Sequence, residues 1–225
     1  MNRSPRAAWP IVALLAFVLL VLWLLLFLDV ISFAYERLGL SERDALLLLF
    51  GSLVGSRIDL PVARMEGEPT VTQRVVTVFG IRYLVPVQEG GDTTIAVNVG
   101  GALIPSGFSF WLLAHGHLWR DGLIAALVVA VFVHLIARPT PGVGIVVPAI
   151  LPPLVAAGVA LALTHAHAAP VAYVSGTLGT LVGADLSNLH RIRGLGAPVA
   201  SIGGAGTFDA VFLSGVMAVV LAAVL

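Results

Sequence analysis

Long apolar stretches alternate along the chain with short charged or turn-forming stretches. A hydrocarbon core of about 30 Å requires about 20 mostly apolar residues for each helical crossing. The pattern predicts seven candidate segments, of which the second is short enough to be a re-entrant half-helix. They run from about Trp9 to Phe33, Ala45 to Ser56, Thr94 to Ala114, Gly122 to Ala137, Gly142 to Thr164, Val171 to Leu189 and Val199 to Leu225. We therefore expect an all-α polytopic membrane protein with six to seven transmembrane helices, several of them broken by Gly or Pro.

Residues 57–93 form a polar insert between the second and third segments. The stretches TVTQRVVTVF and IRYLVPV carry β-branched and aromatic residues in partial alternation, with Gly80 between them. This pattern predicts a small extramembrane β-hairpin, with Pro86 at an edge because proline cannot donate to the ladder. The hairpin is expected on the cytoplasmic face, either as a lid or strut or as a strand on which an extended peptide docks. The chain, residues 1–225, is predicted to be a single membrane domain that carries this insert.

The composition supports a membrane location and excludes several functions. Hydrophobic residues make up 59% of the chain and charged residues 11%, whereas about 25% of a soluble domain is charged. The formal net charge is zero, so the chain lacks the basic field that nucleic-acid binding requires. Because cysteine is absent, disulfides, thiolate nucleophiles and cysteine-based metal sites are excluded.

The distribution of arginine predicts the orientation, because cytoplasmic loops hold an excess of positive charge. Seven crossings and a cytoplasmic N-terminus place three arginines outside, Arg37, Arg43 and Arg120, and the other nine inside. The first apolar run is longer than the roughly 7–15 residues of a secretory signal, so we expect an uncleaved first helix. The N-terminus is therefore predicted in the cytoplasm and the C-terminus outside.

Two acidic residues lie inside otherwise apolar segments. Asp185 occurs in SGTLGTLVGADLSNL and Asp209 in SIGGAGTFDAVFLSG. An ionisable group at bilayer depth costs about 2.5–3.5 kcal/mol on insertion scales, so it usually faces a cavity or a partner. Glycines weaken a helix, so the glycine-rich stretch before Asp209 is expected to be unwound. An unwound entry would bring Asp209 to the level of Asp185.

Two carboxylates at one depth in a low-dielectric pocket share a proton, because like charges at close range cannot both ionise. One can then take a proton from an attacking water while the other donates to a peptide carbonyl oxygen, which is the chemistry of aspartic proteolysis. We predict Asp185 and Asp209 as the catalytic residues, without assigning acid and base. Gly203, Gly204 and Gly206 are predicted to contact substrate, since unwound backbone at membrane depth is tolerated only beside a cavity or protein.

The pair of membrane aspartates on consecutive antiparallel segments, the second after GGAG, resembles the GxGD-type aspartic intramembrane proteases. That class includes presenilin, signal peptide peptidase and the type IV prepilin peptidases, and the resemblance covers about residues 170–220. It implies a hydrolase that cuts a transmembrane or membrane-proximal peptide with an Asp185/Asp209 dyad in the lipid bilayer.

Over most of its length the chain also resembles an uncharacterised prokaryotic membrane protein family, domain of unknown function 1614. The strings VNVGGALIP, RPTPGVGI and GGAGTFD carry this second resemblance. It implies a prokaryotic cell membrane and no particular activity.

Two other functions remain open. In a transporter or channel, the same carboxylates would carry protons or bind a cation, and the broken helices would form the site. The string VGGA at residues 99–102 echoes IGGA at residues 202–205, as in the internal repeats of transporters. In a structural or accessory protein, the aspartates would be hydrogen-bonded pins between helices. The substrate and the oligomeric state stay open.

Two further groups of residues have a predicted role. Small residues at helical spacings, Ser175, Gly176, Gly179, Gly183 and Ala184, predict dense helix packing. The histidines His115, His117, His165 and His167 are expected on the outer side. Neutral imidazoles bind zinc and related metals, so these four are metal-site candidates, although they are more simply solvated loop residues. No cofactor is predicted, because the sequence has no nucleotide-binding, HExxH or haem motif.

Overall fold

The computed structural model describes residues 18–20, 22, 28–30, 32–66, 70–78, 81–89, 92–140, 144–194, 199–204 and 207–225. For residues 70–78, 81–89, 140, 144, 192–194, 207–210 and 213 it describes the backbone alone. Most of the predicted first segment, Trp9 to Phe33, and the turn residue Gly80 lie outside these ranges.

The described part of the chain is mostly helical. The helices with defined bounds are α1 (Glu42–Gly55), α2 (Ile104–His115), α3 (Trp119–Ile136), α4 (Leu151–Leu163), α5 (Ala168–Val174) and α6 (Thr207–Val224). Residues 32–37, which include Tyr35, are also helical. A π-helical turn, Val99–Leu103, leads into α2. Two more π-helical turns, Ser175–Gly179 and Leu181–Asp185, continue α5 and are followed by the 3-10 helix Leu186–Gly194.

Local sequence signals explain where several helices begin. Ser41 precedes α1, and its Oγ accepts a hydrogen bond from the backbone N–H of Asp44, which satisfies one of the free amides at the helix start. Helices α2 and α4 have proline in their first turn, where the missing N–H costs no hydrogen bond. Asn98 caps the π-helical turn before α2, since its Oδ1 accepts from the Gly101 N–H at 2.8 Å.

Three strands that are distant in sequence form one sheet. The strands β1 (Asp59–Met65), β4 (Thr93–Asn98) and β7 (Val199–Ile202) lie in the order β1-β4-β7. β1 and β4 are antiparallel, whereas β4 and β7 are parallel, with Val97 opposite Ile202. The prediction of transmembrane helices over Thr94 to Ala114 and Val199 to Leu225, the second unwound at its glycines, is therefore wrong for the residues that form strands. Both stretches contain β-branched residues, which favour strands, but each finds its partner only across the fold.

The predicted hairpin is confirmed. Strands β2 (Thr70–Val78) and β3 (Ile81–Glu89) pair antiparallel, with Thr70 opposite Glu89 and Val78 opposite Ile81. They form a two-stranded sheet, so Pro86 lies in an edge strand as expected. A second small pair, β5 (Arg138–Thr140) and β6 (Gly144–Val146), replaces the start of the helix predicted from Gly142. That helix, α4, begins only at Leu151.

Helices α2 to α6 pack around a core made largely of alanine and valine side chains. Leu113, Val129, Ala156, Val171 and Val219 are all buried in it. Short side chains let helix backbones approach closely, which favours packing by van der Waals contact.

Among the described residues, one helix, α3, is long and apolar enough to cross a membrane, with a mean hydropathy of 1.8. The apolar helical stretches Val99–His115, Leu151–Leu163 and Ser214–Val224 are shorter. Helix length therefore does not establish the predicted six to seven crossings. Large apolar side chains are nevertheless exposed on several helices, including Phe50, Phe110 and Leu154, and Leu127 and Leu135 on α3 are 65% and 76% exposed.

Candidate functional site

Glycines hold the extension of α5 close to two neighbouring helices. A Cβ added at Gly179 would lie 2.7 Å from the Cβ of Val129 on α3, and one at Gly183 would overlap the carbonyl oxygen of Ala130. On the other side, a Cβ at Gly176 would lie 2.6 Å from the carbonyl oxygen of Ser214 on α6. These contacts confirm the predicted dense packing. The same segment is π-helical, a local geometry that occurs frequently at functional sites.

Asp185 ends the π-helical turn Leu181–Asp185 and is 5% exposed. Its Oδ2 accepts a hydrogen bond from the backbone N–H of Gly203 at 2.7 Å. Gly203 has a φ of +69°, and an added Cβ would lie 2.7 Å from both the carbonyl carbon of Gly101 and the amide nitrogen of Ala102. Glycine is therefore required for this backbone to fit against the π-helical turn before α2 and present its amide to Asp185.

Asp209 is the third residue of α6, and its backbone is described while its side chain lies outside the described residues. Helix α6 runs antiparallel to α5, because Gly203 meets Asp185 and, further along, Ser214 lies against Gly176. Asp209 falls between these two levels along α6. The two aspartates therefore lie on neighbouring elements at the same end of the bundle.

The glycines predicted to contact substrate are placed as follows. Gly203 and Gly204 are buried, and Gly206 lies outside the described residues. The Gly203 amide is used by Asp185, and the Gly204 N–H donates to the Ser201 carbonyl at 3.1 Å in a tight turn. In this structure the two described glycines shape the strand-to-helix connection. Their contact with a substrate stays a prediction.

A second polar cluster lies where the parallel strands β4 and β7 end. Oδ1 of the exposed Asp59 accepts hydrogen bonds from Asn98 Nδ2, at 3.0 Å, and from Ser201 Oγ. Asn98 Nδ2 also donates to the Ser56 carbonyl at 2.8 Å. The cluster thus ties the end of α1 to the strand that leads to Gly203. Asp59 and Ser201 give no sequence signal, because only the pairing of β1, β4 and β7 brings them together.

Hydrogen bonds also stabilise the turn that follows Asp185. Nδ1 of the half-buried His134, on α3, lies 2.7 Å from Ser187 Oγ, and Ser187 Oγ donates to the Gly183 carbonyl at 2.7 Å. Asn188 Nδ2 donates to the carbonyls of Gly183 and Ala184 at 2.9 Å. These side chains satisfy carbonyls where the π-helical turn changes to a 3-10 helix, so they stabilise the position of Asp185.

The four histidines considered as metal ligands are exposed. His115 ends α2, where its ring stacks on Trp111 with the centroids 4.6 Å apart. His117 follows with a φ of 51°. In the ranges that the structure describes, no three His, Asp or Glu side chains gather into a group that could hold a metal ion.

No curated protein and no solved structure matches the chain, so these comparisons give the resemblance to GxGD-type proteases no support. The model of one protein family, described as a protein of unknown function (DUF1614), matches residues 53–221. Because this match covers well over half of the sequence, the chain belongs to the DUF1614 family.

Proposed function

We propose that this protein is an aspartic protease of the prokaryotic cell membrane that cuts peptides within or beside transmembrane helices. The observation that carries the proposal is the hydrogen bond from the Gly203 N–H to the buried Asp185 carboxylate. It ties Asp185 to the segment that leads, six residues later, into the first turn of α6 and Asp209. Two carboxylates on adjacent elements in a water-poor interior are what aspartic catalysis requires.

The reaction uses one ionised and one protonated carboxyl group. The ionised group takes a proton from water as the water oxygen attacks the peptide carbonyl carbon, and the protonated group gives its proton to the carbonyl oxygen. When the resulting diol collapses, the C–N bond breaks and the departing nitrogen takes the proton that came from water. The diol returns the other proton to its carboxyl group, so the pair regains its starting state.

The membrane location in this proposal rests on the exposed apolar faces of α1 to α4 and on the length of α3. Exposed apolar surface of this extent marks contact with lipid or a partner, and the composition favours lipid. We propose a polytopic arrangement with the N-terminus in the cytoplasm and the C-terminus outside. Helix α1 has 14 residues, about 21 Å at 1.5 Å per residue, so in this seven-crossing arrangement we propose that its flanking residues complete the crossing.

The Asp185→Asn variant tests the proposal, because an asparagine oxygen can still accept the Gly203 hydrogen bond but cannot exchange the catalytic proton. In liposomes containing a helical peptide reporter, we expect Asp185→Asn and Asp209→Asn each to reduce cleavage at least about 10²-fold, the usual contribution of acid–base catalysis. Asp121→Asn, in the first turn of α3, is the matched control and should cleave normally. Cleavage that persists in Asp185→Asn would overturn the proposal.

A transporter is the second candidate, favoured by a duplicated arrangement in the fold. The parallel strands β4 and β7 lie side by side, and each leads through a pair of glycines into a helix, α2 or α6. Paired broken helices form the binding sites of many transporters. Ion or proton flux into liposomes that is lost in Asp185→Asn, without peptide cleavage, would favour this function.

An accessory role predicts a different outcome at the same position. If Asp185 serves only to hold its neighbouring segment by a hydrogen bond, Asp185→Asn should retain the stability of the parent. Asp185→Ala should lower the free energy of unfolding by about 1–3 kcal/mol, because the buried Gly203 amide is left without its acceptor. Neither cleavage nor flux would then depend on the aspartates.

A further inference from the structure

A row of buried hydroxyl groups lies inside the helix bundle, apart from the hydrogen bonds of Asp185. Tyr35, Thr180 and Ser214 are 0% exposed, and within the described part of the chain their hydroxyl oxygens have no hydrogen-bond partner. A buried polar group left unsatisfied costs about 1–3 kcal/mol. Natural interiors usually meet that cost with ordered water.

Two more hydroxyls connect these three groups. Tyr173 on α5 lies near Tyr35, and its hydroxyl hydrogen-bonds Thr177 in the first π-helical turn. A Cβ added at Gly215 on α6 would lie 2.5 Å from Thr177 Oγ1 and 3.2 Å from the Tyr173 ring, so both side chains border the residue next to Ser214. The row therefore continues from Tyr35 to the contact between α5 and α6.

Thr180 extends the row toward the aspartates. It follows Thr177 by three residues and lies between Gly176, which packs on Ser214, and Asp185, which binds Gly203. Asp209 occupies the corresponding stretch of α6. The hydroxyls of Tyr173, Thr177 and Thr180 thus follow one another along α5 and its π-helical extension up to the level of both aspartates, with Tyr35 and Ser214 beside them on other segments.

We propose that these five hydroxyls bind a file of water molecules that enters at the Tyr35 end of the bundle and reaches the aspartates. A hydroxyl both donates and accepts hydrogen bonds, which suits water, whereas a cation uses the acceptor alone. The π-helical turns contribute backbone carbonyls that lack the regular α-helical partner. The water file concerns how water reaches the interior, and it stands whichever reaction the aspartates perform.

The absence of native cysteine allows a direct test with single-cysteine variants. We would reconstitute Thr180→Cys and Ser214→Cys in liposomes and measure their rates of modification by a small water-soluble thiosulfonate. Val129→Cys is the matched control, because Val129 is 0% exposed, belongs to the apolar core and packs on Gly179 at a similar depth. We expect both test variants to react at least about tenfold faster than the control, since only the thiolate reacts and apolar surroundings suppress it.

Equal, slow rates for Thr180→Cys, Ser214→Cys and Val129→Cys would overturn the proposal. A second comparison tests the route in the Thr180→Cys background. Thr177→Val removes the hydroxyl at nearly constant volume and should slow the modification several-fold, whereas Thr177→Ser keeps the hydroxyl and should not. Labelling that is unaffected by Thr177→Val would show that water does not pass this residue. This experiment measures labelling and not cleavage, so equal labelling rates would leave the protease proposal standing. Conversely, a failure to find aspartate-dependent cleavage would leave the proposal of the water file standing.

Discussion

Gly203 shows how much a single residue contributes to the candidate site. Its positive φ turns the chain from β7 toward α6, its missing Cβ allows contact with Gly101 and Ala102, and its amide binds Asp185. The sequence predicts an unwound glycine stretch here, but the partner of the amide is an aspartate 18 residues earlier. Glycine at this position therefore serves the geometry of Asp185 as well as the turn itself.

Gly203→Ala should destabilise the protein. A left-handed backbone conformation costs a non-glycine residue about 1–3 kcal/mol, and the new Cβ would collide with the backbone of Gly101 and Ala102. In detergent micelles, we expect the Gly203→Ala protein to unfold at a lower denaturant concentration than the unsubstituted protein.

Gly158→Ala is the control for this prediction. An added Cβ at Gly158 meets nothing within 4 Å, and the residue lies inside α4, where alanine is favoured over glycine by up to about 1 kcal/mol. A Gly203→Ala protein as stable as Gly158→Ala would contradict the assigned backbone geometry.

At the scale of elements, the parallel pairing of β4 with β7 organises the site. It brings Asn98 of β4 and Ser201 of β7 within hydrogen-bonding distance of Asp59 and sets the two glycine-rich connections next to each other. Parallel strands are joined by long crossovers, and here the crossover contains α2 to α5. The sheet therefore fixes where α2 and α6 begin relative to each other.

Cysteine pairs test this register. Val97 and Ile202 are opposite each other, and neighbouring strands lie about 4.8 Å apart, within the Cα separation that a disulfide accepts. We expect Val97→Cys/Ile202→Cys to crosslink under mild oxidation, seen as a band shift that reductant reverses.

Val97→Cys/Val199→Cys is the matched pair that should not crosslink. Val199 is opposite Thr94, three residues from Val97, which adds about 10 Å along the strand. Crosslinking of this pair and not of the first would show that the register, or the strand assignment itself, is wrong.

At the scale of the molecule, the described helices expose many large apolar side chains and bury many small and polar ones. Leu127 and Leu135 of α3 point outward, while Val129 and Val133 of the same helix are 0% exposed. This is the reverse of the pattern in a soluble helix, where the apolar stripe faces inward and polar residues cover the outside. The arrangement is consistent with a lipid environment around α3.

Leu127→Arg should therefore impair membrane integration. An arginine near the centre of a membrane helix costs about 2.5–3.5 kcal/mol on insertion scales, and Leu127 is near the middle of α3. We expect less protein in the carbonate-resistant membrane fraction, whereas His117→Arg, in the exposed turn before α3, should leave that fraction unchanged. If Leu127→Arg instead increased the yield of soluble, folded protein, the apolar surface would not face lipid.

The candidate site could be predicted only in part from the amino-acid sequence. Asp185 and Asp209 stand out because carboxylates are rare in apolar segments, and their neighbouring placement follows from consecutive antiparallel segments. Asp59, Ser201 and Ser187 could not be identified, because each is a common polar residue that gains its role from a partner far along the chain.

Sequence by itself determined the properties that depend on local pattern and composition: the helical character of the apolar runs, the β2–β3 hairpin, the dense packing of the small residues after α5, and two aspartates on adjacent segments. Tertiary structure alone decided that Thr93–Asn98 and Val199–Ile202 are parallel strands and that Gly203 binds Asp185. The physical reason is the separation along the sequence between the residues that interact. Helical and strand periodicities arise from neighbouring residues, whereas a parallel strand or a buried carboxylate finds its hydrogen-bond partner only once the intervening helices have packed.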